Sequence, residues 1–178
     1  MNLSTFEKKD STGICFIGER PFPSFLENYI NDKPGKIICD KGNEVGLHRG
    51  LSFYTLGQRQ GLGIGGLKDY DERPWYVVEK KLSENILVVA QGNDNQQLFN
   101  NKLSVDSINW ICEPDLTEPI KLEAKIRYRQ DDQECILSKK GKTFSVEFKK
   151  PQRAITPGQS IVFYQDNICL GGGEIYKS

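Results

Sequence analysis

The chain of 178 residues contains no C-x-x-C pair and only one histidine, His48. Zinc centres gather their cysteine and histidine ligands in close pairs, so no metal site is expected. The five cysteines, Cys15, Cys39, Cys112, Cys135 and Cys169, are odd in number and dispersed. That argues against the disulfide framework of a small secreted protein and for reduced thiols. Long apolar runs are missing as well, the longest falling far short of the roughly 20 residues that a membrane-crossing helix needs. The amino terminus lacks the basic-then-apolar pattern of a secretory leader, which makes a cytoplasmic location the expectation. Neither charge is in excess, with 24 basic and 24 acidic side chains. Proteins drawn to nucleic acid by their overall field are usually basic, so any RNA contact must come from a local patch.

What is present suits a turn-rich, mainly β protein: 37% hydrophobic residues, seventeen glycines and eight prolines. Residues 22–30 (F-P-S-F-L-E-N-Y-I) space their apolar side chains as one amphipathic helix, with Pro23 in its first turn. Pro34-Gly35 ends it, and Lys36 to Cys39 reads as a strand with a turn at Lys41-Gly42-Asn43. Gly50 to Leu56 suits one or two helical turns closed by Gly57. Trp75 to Lys81 and Ile86 to Ala90 form a hairpin around Ser83-Glu84-Asn85.

The polar stretch from Gln91 to Asn101 reads as a connection. Beyond it the pattern is short strands alone: Leu103 to Ile111, Ile120 to Arg129, Glu134 to Ser138, Thr143 to Phe148, Ser160 to Tyr164, Ile168 to Leu170 and Glu174 to Tyr176. Six or seven short strands at regular spacing imply a small barrel that closes to hide its edges. The expected fold class is therefore mainly β or α+β: a region with the cysteine and short helix (1–30), a small α+β central domain (31–101) and a β-barrel (102–178).

Few segments carry chemistry. Cys15 sits beside Gly13 and Ile14 in an apolar run flanked by Lys8, Lys9, Asp10, Glu19 and Arg20. Reactive thiols lie in electropositive, partly exposed surroundings and inert ones in apolar cores, so the spacing leaves both roles open. Gly61-Leu62-Gly63-Ile64-Gly65-Gly66 satisfies G-x-G-x-x-G, but no helix pattern follows it, as dinucleotide binding requires. A tight loop where backbones pass closely is the better reading, and it can face a substrate or a neighbouring domain. His48 in a polar turn reads as a hydrogen-bonded structural residue rather than a base for Cys15. Lys125-Ile126-Arg127-Tyr128-Arg129-Gln130 read as a strand places Lys125, Arg127 and Arg129 on one face, a basic stripe suited to phosphates. Tyr128 on the other face either stacks a base or fills the barrel. Gln152-Arg153 is a further candidate contact, and Cys169 is a strand-end packing residue.

The stretch K-K-D-S-T-G-I-C-F-I-G-E-R (Lys8 to Arg20) resembles the second cysteine motif of the tRNA-specific 2-thiouridylases. These bacterial enzymes replace the C2 oxygen of the wobble uridine with sulfur. H-R-G-L-S-F-Y-T-L-G-Q-R-Q-G-L-G-I-G-G (His48 to Gly66), P-W-Y-V-V (Pro74 to Val78), K-I-R-Y-R-Q (Lys125 to Gln130), T-P-G-Q-S-I-V-F-Y (Thr156 to Tyr164) and C-L-G-G-G (Cys169 to Gly173) resemble further blocks in family order. The resemblance implies a final β-barrel like the second domain of elongation factors.

It also implies an amino-terminal PP-loop domain with an S-G-G-V-D-S-like phosphate loop and a first catalytic cysteine, neither of which these residues contain. The chain thus resembles the carboxy-terminal part of such an enzyme, expected to be inactive alone. By the same resemblance, ATP bound in that other domain adenylates the uridine C2 oxygen. Cys15 then delivers sulfur carried as a persulfide from an upstream sulfur-carrier protein, and a cysteine of the other domain closes the cycle, a disulfide to Cys15 being one way to do so. Arg127, Tyr128 and Gln159 match residues that touch tRNA. The alternative is a non-catalytic RNA-binding β module whose cysteine is idle.

Overall fold

A computed structural model of the chain describes residues 33–67 and 69–177. Cys15 and the helix expected over residues 22–30 lie outside the described residues. Strands β1 (Gly35–Cys39) and β2 (Glu44–His48) form the first hairpin, turned at Gly42, and β3 (Trp75–Lys81) and β4 (Ile86–Gln91) form the second. They assemble as one sheet in the order β2-β1-β4-β3, in which β1 and β4 run parallel and the other neighbours antiparallel. Alternation sends Ile37, Cys39, Val45, Val77, Leu87 and Val89 to one face, where they are buried.

Among the described residues no α-helix covers that face. The long connection between β2 and β3 does so with Leu51, Tyr54 and Leu62, all buried. Only a 3₁₀ turn, Leu51–Phe53, forms where helical turns are expected, and Tyr54 is already extended. Gly50 supplies no capping side chain, so nothing satisfies the donors that a longer helix would leave free. The central region, as far as it is described, is therefore β with covering loops rather than α+β.

The second body is a closed antiparallel barrel of β5 (Phe99–Trp110), β6 (Ile120–Lys125), β7 (Gln133–Lys140), β8 (Thr143–Arg153), β9 (Ser160–Gln165) and β10 (Ile168–Lys177). The ring order is β10-β5-β8-β7-β6-β9. Period-2 alternation fills it with Leu122 and Ala124, Cys135 and Leu137, Phe144, Val146 and Phe148, and Ile161 and Phe163. The β9–β10 turn, Asp166-Asn167, has both residues at positive φ (48 and 66), the mirror-image turn whose twist matches a tight hairpin.

Two expectations about strands fail for identifiable reasons. The glycines at 171–173 do not break the last strand, and β10 runs through them. A Cβ on Gly172 would lie 2.6 Å from the Ile161 carbonyl oxygen, and one on Gly173 would collide with that of Ser107. Their smallness lets β5 and β9 close on β10 from both sides. Strand β6 ends at Lys125 rather than Arg129, because the backbone N–H of Ile126 donates to Gln130 Oε1 at 3.1 Å and Gln130 N–H donates to the Arg127 carbonyl at 3.1 Å. A side chain replaces the ladder partner, and the chain turns.

The sheet and the barrel meet directly. Ala154, at φ 51, donates its backbone N–H to the Leu98 carbonyl at 2.6 Å. Gly57 (φ 78) comes so close that a Cβ there would sit 2.6 Å from that of Ala154 and 3.2 Å from Arg153 Nη1. Replacing Gly57 by alanine therefore adds backbone strain and a clash, and costs about 1–3 kcal/mol of stability. Gly65→Ala, with nothing within 4 Å of the added carbon, stays within about 0.5 kcal/mol of the parent. Urea unfolding of the two variants checks this, and equal midpoints refute it.

Burial also pushes the Cys135 thiol up to about 12, with the Glu123 charge adding to the effect. The folded protein then holds a proton that the unfolded chain releases near the ordinary thiol value of 9.0. Stability contributed by this group is full below pH about 9 and falls as pH rises toward about 12. Cys135→Ala is expected to flatten that alkaline decline, as measured by denaturation midpoints across this range.

Candidate nucleic-acid interface

Because β6 stops early, Arg127, Tyr128 and Arg129 stand on a turn at the barrel end and not along a strand face. The basic stripe expected over Lys125, Arg127 and Arg129 is thus corrected. Lys125 pairs with Asp132 at 3.4 Å and lies over the Tyr164 ring, which leaves Arg127 and Arg129 as the exposed cations of this segment. Ile126 is the residue that fills the barrel. Tyr128 is 67% exposed, so its ring is free to stack.

Gln159 occupies the last position of the turn Thr156-Pro157-Gly158-Gln159. Its N–H donates to the Thr156 carbonyl at 3.2 Å, and Gly158 has φ 85. Proline in second place and a left-handed glycine in third are what a type II turn requires. The turn is pinned to β10, since Gly158 N–H donates to the Ile175 carbonyl and Ile175 N–H donates to that of Gln159, both at 2.8 Å. Strands β6 and β9 pair antiparallel, Lys125 with Val162 and Ala124 with Phe163. The exit of β6 and the entry to β9 therefore lie side by side, which brings Arg127-Tyr128 and Gln159 to one end of the barrel.

A glutamine cluster braces the arginine turn from below. Gln152, 4% exposed, donates to the Gln133 side chain at 3.3 Å and the Lys150 carbonyl at 2.8 Å, while its own oxygen accepts from Gln130. Arg127 Nη2 also donates to the Arg153 carbonyl at 3.4 Å. Arg153 in turn lays its guanidinium over the Tyr76 ring of β3 at 5.0 Å, a cation–π contact. Pattern reading marks Gln152-Arg153 as a candidate contact but has no signal for these braces, because they join segments remote in sequence.

The remaining chemical candidates have structural explanations. His48 is buried, accepts from Gly50 N–H on Nδ1 at 3.1 Å and donates from Nε2 to the Asn85 carbonyl at 3.0 Å. One neutral tautomer satisfies both bonds, and neither nitrogen is left to act as a base. Cys39 is 1% exposed and lies 3.3 Å from the Tyr70 hydroxyl. Burial opposes ionisation of its thiol, but hydrogen bonds from Tyr70 and the backbone of Lys41 and Asn43 prevail and hold it below the usual range, while the same partnership raises Tyr70. Cys112 is exposed, and Cys169 is half-buried within β10. Among the described residues no group of three or more histidine, cysteine or acidic side chains is placed to hold a metal, and no helix is long and apolar enough to cross a membrane.

Residues 100–175 match the family described as the aminomethyltransferase beta-barrel domain, and residues 23–91 match the tRNA methyl transferase PRC-barrel domain. The tRNA-specific 2-thiouridylase MnmA of Stutzerimonas stutzeri (strain A1501) is 53% identical over 177 residues, 99% of this chain and 47% of its own. The enzymes of the same name from Pseudomonas fluorescens strains Pf0-1 and Pf-5 are 54% and 55% identical over 173 and 174 residues, 97% and 98% of this chain and 46% of theirs. The chain thus spans about half the length of the curated relatives it matches. With both barrel matches and this identity along nearly its whole length, the chain belongs to the tRNA-specific 2-thiouridylase family and corresponds to the carboxy-terminal part of its members.

Proposed function

We propose that this chain docks tRNA and delivers sulfur to C2 of the wobble uridine, as part of a 2-thiouridylase that works in the cytoplasm. The observation that carries the reading is the meeting of the Arg127-Tyr128 turn and the Gln159 turn at one end of the barrel. A guanidinium suits a phosphate, an exposed phenol ring suits an unstacked base, and an amide suits a base edge or ribose hydroxyl. In this reading residues 1–30 carry the reactive cysteine, 31–101 form a central unit and 102–178 the docking barrel.

Cys15 holds the transferable sulfur as a persulfide received from a carrier protein. The outer sulfur bonds to the uridine carbon as the activated oxygen leaves. The S–S bond to Cys15 is broken by the thiol of a second cysteine outside the described residues, which ends in a disulfide with Cys15. ATP is the family's activating group, and the described residues do not fit it. The glycine-rich loop at 61–66 runs into the turn at Asp69-Tyr70-Asp71, with no helix start to receive phosphates. The activating chemistry is therefore assigned to residues other than the described ones, and no step of it falls to the side chains described above.

Arg127→Ala and Gln159→Ala should each weaken tRNA binding, and the arginine variant should also flatten the salt dependence by about one unit of log–log slope. Filter binding at several salt concentrations measures both, and an Arg127→Ala curve that overlays the parent refutes the docking site. Cys15→Ser in the full-length enzyme should abolish 2-thiouridine formation with tRNA affinity retained, because a hydroxyl cannot carry a persulfide. Retained thiolation in that variant would reduce the chain to a non-catalytic RNA-binding module.

A further inference from the structure

Arg153 touches both bodies of the protein. Its carbonyl receives Arg127 Nη2 at 3.4 Å, and its guanidinium lies over Tyr76 at 5.0 Å. The segment around it is fixed on either side. Before it, Gln152 is buried and bonded to Gln130 and Gln133. After it, Ala154 is held in a left-handed conformation, bonded to the Leu98 carbonyl and pressed against Gly57. Gln130 in turn caps the backbone of Ile126, so the arginine turn rests on residues 152–153.

From these contacts we infer that Arg153 is a positioning residue: it couples the tRNA-contacting turn at Arg127 to the four-stranded sheet through Tyr76. Its guanidinium is engaged on an aromatic ring, and its role is to set where Arg127 points. A displaced 152–153 backbone takes away the acceptor of Arg127 Nη2 and shifts the platform under Gln130. The inference rests on the docking site proposed above. It adds that tRNA affinity depends on a side chain of the other body, which carries no charge and lies outside that site.

The decisive variant is Tyr76→Leu, which keeps an apolar body on β3 but removes the ring face. Tyr76→Phe keeps the ring and serves as the folding-matched control, since the contact with Arg153 is made by the ring face and not by the hydroxyl. Fluorescence anisotropy with labelled tRNA, at several salt concentrations, reads affinity and slope for the 178-residue chain. Tyr76→Leu should weaken binding by about threefold to tenfold, a coupling of ordinary size for residues in one network. It should also lower the salt slope by about one although it removes no charge, because the Arg127 phosphate contact is lost with it.

Tyr76→Phe should match the parent in both. In the Arg127→Ala background Tyr76→Leu should cause no further loss, the non-additivity that marks coupling rather than proximity. A Tyr76→Leu variant with a lower melting temperature but parental affinity and slope overturns the inference and leaves Tyr76 a packing residue. Parental binding by Tyr76→Leu beside weakened binding and slope in Arg153→Ala also overturns it, making Arg153 a phosphate contact itself. Parental binding by Arg127→Ala brings down the docking site, and the coupling with it.

Discussion

Closure of the barrel depends on its shortest ladder, the three residue pairs joining β6 to β9 from Glu123 to Lys125. Every other strand pair in the ring has a longer register. An unclosed edge would offer a row of unpaired backbone groups to another chain, so this brief seam decides whether the six strands form a closed barrel or an open sheet. Its shortness has a local cause in the Gln130 side chain, which takes the Ile126 N–H that the ladder would otherwise claim. Ending the seam early releases residues 127–129 into solvent. The stop that limits the closing seam thus also makes the exposed arginine turn.

A second constraint ties barrel to sheet. Ala154 leaves β8 in a conformation that L residues rarely adopt, and the hydrogen bond to Leu98 with the contact at Gly57 compensates for it. Strain of this kind persists only where surrounding structure over-determines it. The residues immediately before it, Gln152 and Arg153, connect to the arginine turn. Rigidity at the junction and geometry at the barrel end share one stretch of backbone.

Much of this was legible in the amino-acid order. The β3–β4 hairpin shows as β-branched runs around Ser83-Glu84-Asn85, and the closed barrel as short strands with turn residues at regular intervals. Illegible features have non-local causes. K-I-R-Y-R alternates like a strand, and nothing in it announces that a glutamine will intercept the ladder. Three successive glycines look like a turn until both neighbouring backbones are seen pressing on them. Arg127, Tyr128 and Gln159 stand out through family likeness more than through pattern, since balanced charge gives no global cue. The contact of Arg153 with Tyr76 joins separate bodies, and local spacing carries no trace of it.

The turn that carries Gln159 has its shape built in before any partner arrives. Pro157 fixes its own φ, Gly158 supplies the left-handed one, and two hydrogen bonds to Ile175 hold Gly158 and Gln159. Little backbone freedom remains there to be lost on association, so the ordering cost is confined to the exposed Gln159 side chain. For the docking proposed here the consequence is one of residence time: substitutions that disturb the turn should act on how long a partner stays rather than on how fast it arrives.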